Sequence, residues 1–274
     1  MNDVGRGSEF VPIEQRGQRV RVEHAWIARD RTRSPLIVFL HEGLGSLAMW
    51  KDFPQRLCDA AGCRGLVYSR PGYGRSTPRD RHEVWAPDFL HREAVDVLPA
   101  LLQALDIDVQ AHPPWLFGHS DGGSIALLYA ARFPLHLAGA IVAAPHIIVE
   151  DLTIANIEKA RDAWRGTDLR ARLAKYHDDP DFSFRRWNDI WLHPAFRPWS
   201  IESELAGIRC PLLAIQGTED EYGTLEQIHG IARRVPLART LELRNCGHSP
   251  HRDQPDALIA AAATFIQTID GDSP

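Results

Sequence analysis

The chemistry this chain could do centres on Ser120, in the run Gly118-His119-Ser120-Asp121-Gly122-Gly123. In a G-x-S-x-G pattern placed between a strand and a helix, the serine occupies a sharp, strained turn. Side chains at the flanking glycines would collide with the neighbouring strand and helix. The hydroxyl is then raised above the end of a sheet, beside a helix N-terminus. An unassisted serine hydroxyl is a poor nucleophile at neutral pH, so it needs a base in hydrogen-bond reach. The chain has 13 histidines. His248, which follows Asn245-Cys246-Gly247, stands out as the base, with His251 as the second candidate. A carboxylate to hold the base is offered by Asp220 in Gly217-Thr218-Glu219-Asp220, whose neighbours Glu219 and Glu221 read as solvated loop charges.

The elements around these residues must place them at one end of one sheet. Pro35 to Leu40, Gly65 to Tyr68, Trp115 to Phe117, Gly139 to Ala144 and Pro211 to Gln216 are apolar runs of the kind that form strands covered on both faces. Arg19 to Ala28 alternates and reads as a half-buried antiparallel strand, and Thr240 to Leu243 as the last strand. Helical patterns separate them: Ala48 to Ala61 with Pro54 near its start, Phe89 to Leu105 with Pro99 as a possible kink, Ser124 to Ala131, Leu225 to Val235 and Gln254 to Ile269. Strands alternating with helices predict an α/β, doubly wound, mostly parallel sheet. Ser120, Asp220 and His248 each fall at the carboxyl end of a strand, where such sheets bind ligands. Residues 1–18 read as a flexible arm, 19–144 and 204–274 as the core, and 145–203 as a helical insertion. That insertion holds four of the eight tryptophans and shows a Phe184, Trp187, Trp191 face.

Four separated motifs now agree in order: the loop His41 to Ser46, the Ser120 turn, Gly217-x-x-Asp220 and Gly247-His248. Together they resemble the α/β-hydrolase fold family, from about residue 19 to the C-terminus. The resemblance implies Ser120 as nucleophile, His248 as general base and acid, and Asp220 as the group that holds the imidazole. It also implies an oxyanion hole from the N–H of Asp121 and from that of Gly43 or Leu44. The family usually reads His-Gly at the start of that loop. Here Glu42 intervenes, either buried beneath the site or paired in the loop. The Ser-Asp-Gly-Gly turn resembles that of hydrolases of amino acid esters, where the acid meets a substrate ammonium. The favoured reading of Asp121 is instead a helix start that complements the helix dipole. Arg70 to Ser76 resembles a structural turn below the site, with Arg70 buried and paired. Arg185 and Arg186 either grip a substrate carboxylate or face water.

Composition bounds the rest. With 274 residues, 44% hydrophobic and 24% charged, the chain suits one large domain with an insertion. A net charge of −5 without basic stripes points away from nucleic acid, and no apolar run reaches membrane-spanning length. Four sparse cysteines and no signal-peptide core suggest reduced thiols in the cytoplasm, and no metal-ligand spacing occurs. The expectation is a cofactor-free, metal-free serine hydrolase of a small or medium carboxylic ester, monomeric or homodimeric. Trp50, His146, Trp187 and Trp191 are the expected substrate contacts under a roof formed by the insertion. Carbon–carbon bond hydrolysis, amino acid ester or amide hydrolysis, and ligand binding without catalysis are the competing readings.

Overall fold

The apolar runs become strands because they can be covered on both faces. The computed structural model describes residues 7–78 and 86–271. Its order begins β1 (Glu9–Gln15), β2 (Gln18–Ile27), β3 (Leu36–Leu40), α1 (Phe53–Ala61) and β4 (Arg64–Tyr68). It continues with α2 (Phe89–Arg92), α3 (Leu98–Ala104), β5 (Trp115–His119), α4 (Asp121–Arg132) and β6 (Gly139–Ala143). Next come α5 (Asp151–Gly166), α6 (Leu169–Leu173) and α7 (Pro180–Trp191). The chain closes with β7 (Leu212–Gly217), α8 (Glu226–Arg234), β8 (Ala238–Leu243), α9 (Pro250–Asp253) and α10 (Pro255–Gly271). The eight strands form one sheet in the order β1-β2-β4-β3-β5-β6-β7-β8. β1 and β2 pair antiparallel, as do β2 and β4, and every other pairing is parallel.

Every residue of β3, β5, β6 and β7 is buried. Alternate side chains point to opposite faces, so the core splits in two. Trp115 and Phe117 of β5 join Phe53 and Leu57 of α1 and Leu258, Phe265 and Ile266 of α10. Leu116 of the same strand joins Leu98 and Leu101 of α3, Ile125 of α4 and Ile228 of α8 on the other face. The chain folds outward to both sides between β3 and β5, which is the switch point of the sheet.

One expectation changes. The segment read as a flexible arm contains β1, because Val11 and Ile13 alternate inward against the core while Val11 pairs with Val22 and Ile13 with Val20. Residues 1–6 lie outside the described residues. The helix read over Phe89 to Leu105 runs without interruption to Ala104 with Pro99 inside it, and a π-helical turn over Glu93–Val97 lies directly before the proline, where its missing N–H disturbs the hydrogen-bond ladder. Between β6 and β7 the chain is helical (α5 to α7), and a bridge between Ile148 and Ser200 joins the two ends of this segment. Among the described residues no helix is long and apolar enough to cross a membrane.

The Ser120 turn is set by close approach. A Cβ on Gly118 would overlap the backbone of Gly122, and a Cβ on Gly122 would overlap the Leu40 carbonyl of β3. Gly122→Ala is therefore expected to lower unfolding stability by about 1–3 kcal/mol. Urea denaturation checks this; a midpoint equal to that of wild type would contradict the packing.

Candidate active site

β5 delivers Ser120 into α4 through φ 53°, ψ −119°, a conformation L residues rarely adopt. Its N–H is held by the Ala143 carbonyl at 3.0 Å and its own carbonyl accepts from Ser124 N at 3.0 Å. The Ser120 Oγ lies 2.9 Å from His248 Nε2. His248 Nδ1 lies 2.8 and 3.0 Å from the two oxygens of Asp220. A carboxylate can only accept, so Nδ1 carries the proton and Nε2 is left as acceptor for the serine O–H. Asp220 also accepts from Gln216 Nε2 at 2.8 Å, Tyr222 N at 2.8 Å and Gly223 N at 3.2 Å. Burial alone would raise the Asp220 pKa, but the His248 hydrogen bond and charge with the Tyr222 N–H bring it below the usual aspartate value.

The 41–46 loop follows β3, the strand beside β5. The Glu42 carbonyl accepts from His41 Nδ1 at 2.7 Å, Arg70 Nη2 at 2.9 Å and Gly45 N at 3.0 Å. His177, from beyond α6, accepts from Gly74 N at 3.0 Å through Nδ1 and donates from Nε2 to the Leu44 carbonyl at 3.0 Å. The Trp187 indole of α7 packs directly on Gly43. The N–H of Asp121, at the first position of α4, has no acceptor within the helix. Asp121 itself is fully buried, with Oδ2 3.4 Å from Arg70 Nη2, and burial pushes its pKa up against the pull of the guanidinium. Arg70 lies over the Tyr73 ring at 4.6 Å.

The expected substrate contacts divide. His146 sits beside His248 with ring centroids 5.6 Å apart and beside Trp191 at 4.9 Å. Its backbone is pinned to Ser124 Oγ of α4 through both N–H and carbonyl. Trp191 and Trp187 face inward on α7, a helix started by Asp179 accepting from Phe182 N and by Pro180. Trp50 is not brought to Ser120. It packs against Phe53, Phe117 and His251 at 5.9, 5.9 and 5.0 Å, inside the core between the sheet and α1. His251 lies in that same wall, 4.7 Å from His119, and is not the partner of Ser120. Arg185 is exposed and Arg186 lies over the Phe182 ring.

Several residues escaped the sequence reading. Tyr222 sets its ring against that of His248, with centroids 4.8 Å apart and the planes tilted by 47°. Glu221 accepts from the His248 N–H at 3.1 Å, and His119 donates to the His248 carbonyl at 2.6 Å. Their positions flanking Asp220 and Ser120 were the only available signal. The α5 helix also reaches this side: Thr153 Oγ1 donates to the Tyr222 carbonyl at 2.5 Å and Asn156 Nδ2 to that of Glu221 at 2.6 Å. Among the described residues no group of three or more His, Cys, Asp or Glu side chains is arranged to hold a metal ion.

The sequence pattern of the alpha/beta hydrolase family matches residues 37–262, spanning all of these elements from β3 to α10. The chain belongs to that family. The chain is 26% identical over 253 residues to the 2-succinyl-6-hydroxy-2,4-cyclohexadiene-1-carboxylate synthase of Klebsiella pneumoniae, covering 85% of this chain and 94% of that one. It is also 26% identical over 211 residues to the human serine hydrolase BPHL, covering 74% and 69% of the two chains. A thermophilic esterase from Thermogutta terrifontis, solved with malate bound, superposes with a TM-score of 0.71 at 19% identity, over 96% of this chain and 99% of that one. At that identity the superposition shows the fold alone.

The buried histidines set a pH dependence. Burial holds His41 and His251 well below the usual histidine pKa and pushes His146 down to about 3. These groups stay neutral in the fold while their unfolded counterparts bind protons below about pH 6.5. Stability is therefore full above that pH and falls on acidification, by at most ~1.4 kcal/mol per pH unit for each histidine. Urea unfolding at pH 7, 6 and 5 measures this. Equal stability at all three would show that the histidines are not buried neutral.

Proposed function

We propose that this protein hydrolyses small or medium carboxylic esters through an acyl-enzyme on Ser120, without a metal or cofactor. The observation that carries the reading is the continuous hydrogen-bonded chain from Ser120 Oγ through His248 to Asp220. In the first step Ser120 Oγ attacks the ester carbonyl carbon and its proton passes to His248 Nε2. The carbonyl oxygen becomes an oxyanion, received by the N–H of Asp121 and that of Gly43 or Leu44. Collapse of this intermediate breaks the carbon–oxygen bond, and His248 gives its proton to the departing alkoxide. Water then repeats the sequence: His248 takes a proton from it, the acyl group leaves as a carboxylic acid, and Ser120 regains its proton. Asp220 stays ionised throughout and holds the imidazolium.

The helical segment between β6 and β7 serves as a cap in this reading. Trp187 and Trp191 give it an apolar roof, with His146 as a neutral wall, which suits an uncharged acyl group. Asp121 has its carboxylate engaged by Arg70, which weighs against its gripping a substrate ammonium. The four free cysteines are all buried, in keeping with a cytoplasmic setting.

Hydrolysis of p-nitrophenyl esters from acetate to decanoate tests the reading, with wild type beside Ser120→Ala. Wild type is expected to turn over the shorter esters and Ser120→Ala to lose at least about 10³-fold in kcat. A fluorophosphonate should label wild type at Ser120 and leave the variant unlabelled. Equal rates for the two proteins would remove Ser120 as nucleophile. An unlabelled, folded wild type would favour a ligand-binding role.

A further inference from the structure

His119 precedes the serine on β5, and strand alternation sends its ring to the same face as Trp115 and Phe117. There it is 1% exposed, in ring contact with His251 at 4.7 Å and Trp50 at 6.4 Å. Its Nε2 lies 2.6 Å from the backbone carbonyl of His248. A carbonyl only accepts, so Nε2 carries the hydrogen. On the other side of the ring, Nδ1 lies 3.6 Å from Glu42 Oε2, too far for a hydrogen bond, so Glu42 acts on the ring through its charge. The other oxygen of Glu42 is 3.3 Å from Arg252 Nη2, on α9. Glu42 can fold into this position only because residue 45 is glycine: its carboxylate occupies the space a Cβ would take there. Burial would raise the Glu42 pKa, yet His119 and Arg252 keep it well below the usual glutamate value.

We infer that Glu42 and His119 are positioning residues that hold the catalytic histidine by its backbone. This rests on the hydrolase reading and deepens it. Three loops must agree for the proposed reaction: the one after β3, the Ser120 turn and the one after β8. Glu42, His119 and Arg252 come from these same three places, so a line of polar contacts running from the half-exposed Arg252 through Glu42 to the buried His119 ties them together. The His248 N–H is held by Glu221, an exposed residue. The His248 carbonyl is held by His119 from within the core, where a hydrogen bond is stronger and its loss more costly. Without it the loop after β8 is free to shift, and a displacement of about 1 Å in such an array costs about 10²-fold in rate. Neither residue reaches the bond to be cleaved, and the His119 ring also lies against that of His248 with centroids 5.3 Å apart.

The test measures kcat and KM on p-nitrophenyl butyrate for the full chain and for His119→Phe, His119→Gln and Glu42→Gln. A substrate-free readout accompanies it: the downfield proton resonance of His248 Nδ1–H in its bond to Asp220. His119→Phe is expected to lose about 100-fold in kcat with KM little changed, and to lose the sharp resonance. His119→Gln keeps an N–H near the place of Nε2 and should restore kcat to within about tenfold of wild type, and the resonance with it. Glu42→Gln should lower kcat by about tenfold. The inference is overturned if His119→Phe retains wild-type kcat and resonance, or if His119→Gln is as impaired as His119→Phe. Should His119→Phe fail to fold, wild-type behaviour of Glu42→Gln overturns it. If wild type neither turns over the ester nor takes a fluorophosphonate, the hydrolase reading is what fails, and the resonance still reports whether His119 holds His248.

Discussion

The site depends on one tight passage, the crossing of β5 into α4 beside the end of β3. There the backbones of Gly118 and Gly122 approach each other, and Gly122 meets the Leu40 carbonyl, with no room for a side chain. Ser120 is held at φ 53° because everything around it is close-packed and its neighbours are anchored to β6 and α4. Such a backbone costs about 1–3 kcal/mol and persists only where surrounding structure over-determines it. The whole-length burial of β3, β5 and β6 supplies that determination. It also explains why α4 is small and apolar: a helix pressed onto the sheet this closely is buried on nearly every side.

Polar groups at the site are placed by the same geometry. Strand alternation decides that His119 points toward α1 and α10 while Ser120 stands above the sheet. The ends of β7 and β8 bring Asp220 and His248 to the same edge. Around them, histidines act mostly as neutral connectors. His41 and His177 each spend both ring nitrogens on backbone groups, which fixes their tautomers and ties loops far apart in the chain. Arg70 and Asp121 form a buried ion pair beneath the turn, where removing either partner would leave the other charge buried and uncompensated.

Much of this could be read from residue order. Continuous apolar runs identify the covered strands, and glycine spacing identifies the turn at Ser120, because both reflect local sterics. β1 was missed because only Val11 and Ile13 carry its inward face, beside polar residues that look like an arm. Trp50 was expected near substrate because large aromatics line pockets. The 3₁₀ turn Leu47–Trp50 instead packs it under the sheet edge with Phe117. Glu42 and His119 could not be assigned, since their meaning lies in contacts with Gly45, Arg252 and a backbone carbonyl 129 residues away. Local pattern carries no information about such long-range polar pairs.

The fastenings of the helical segment between β6 and β7 include two sets that bear on the site. His177 holds the Leu44 carbonyl at one side, while Thr153 and Asn156 hold the carbonyls of Tyr222 and Glu221 at the other. It works as a truss between the loop after β3 and the loop carrying Asp220. The segment is thus tied into the same loops that carry the site. In the proposed hydrolase, a change there that reshapes the space above Ser120 would also load both loops and so couple selectivity to turnover.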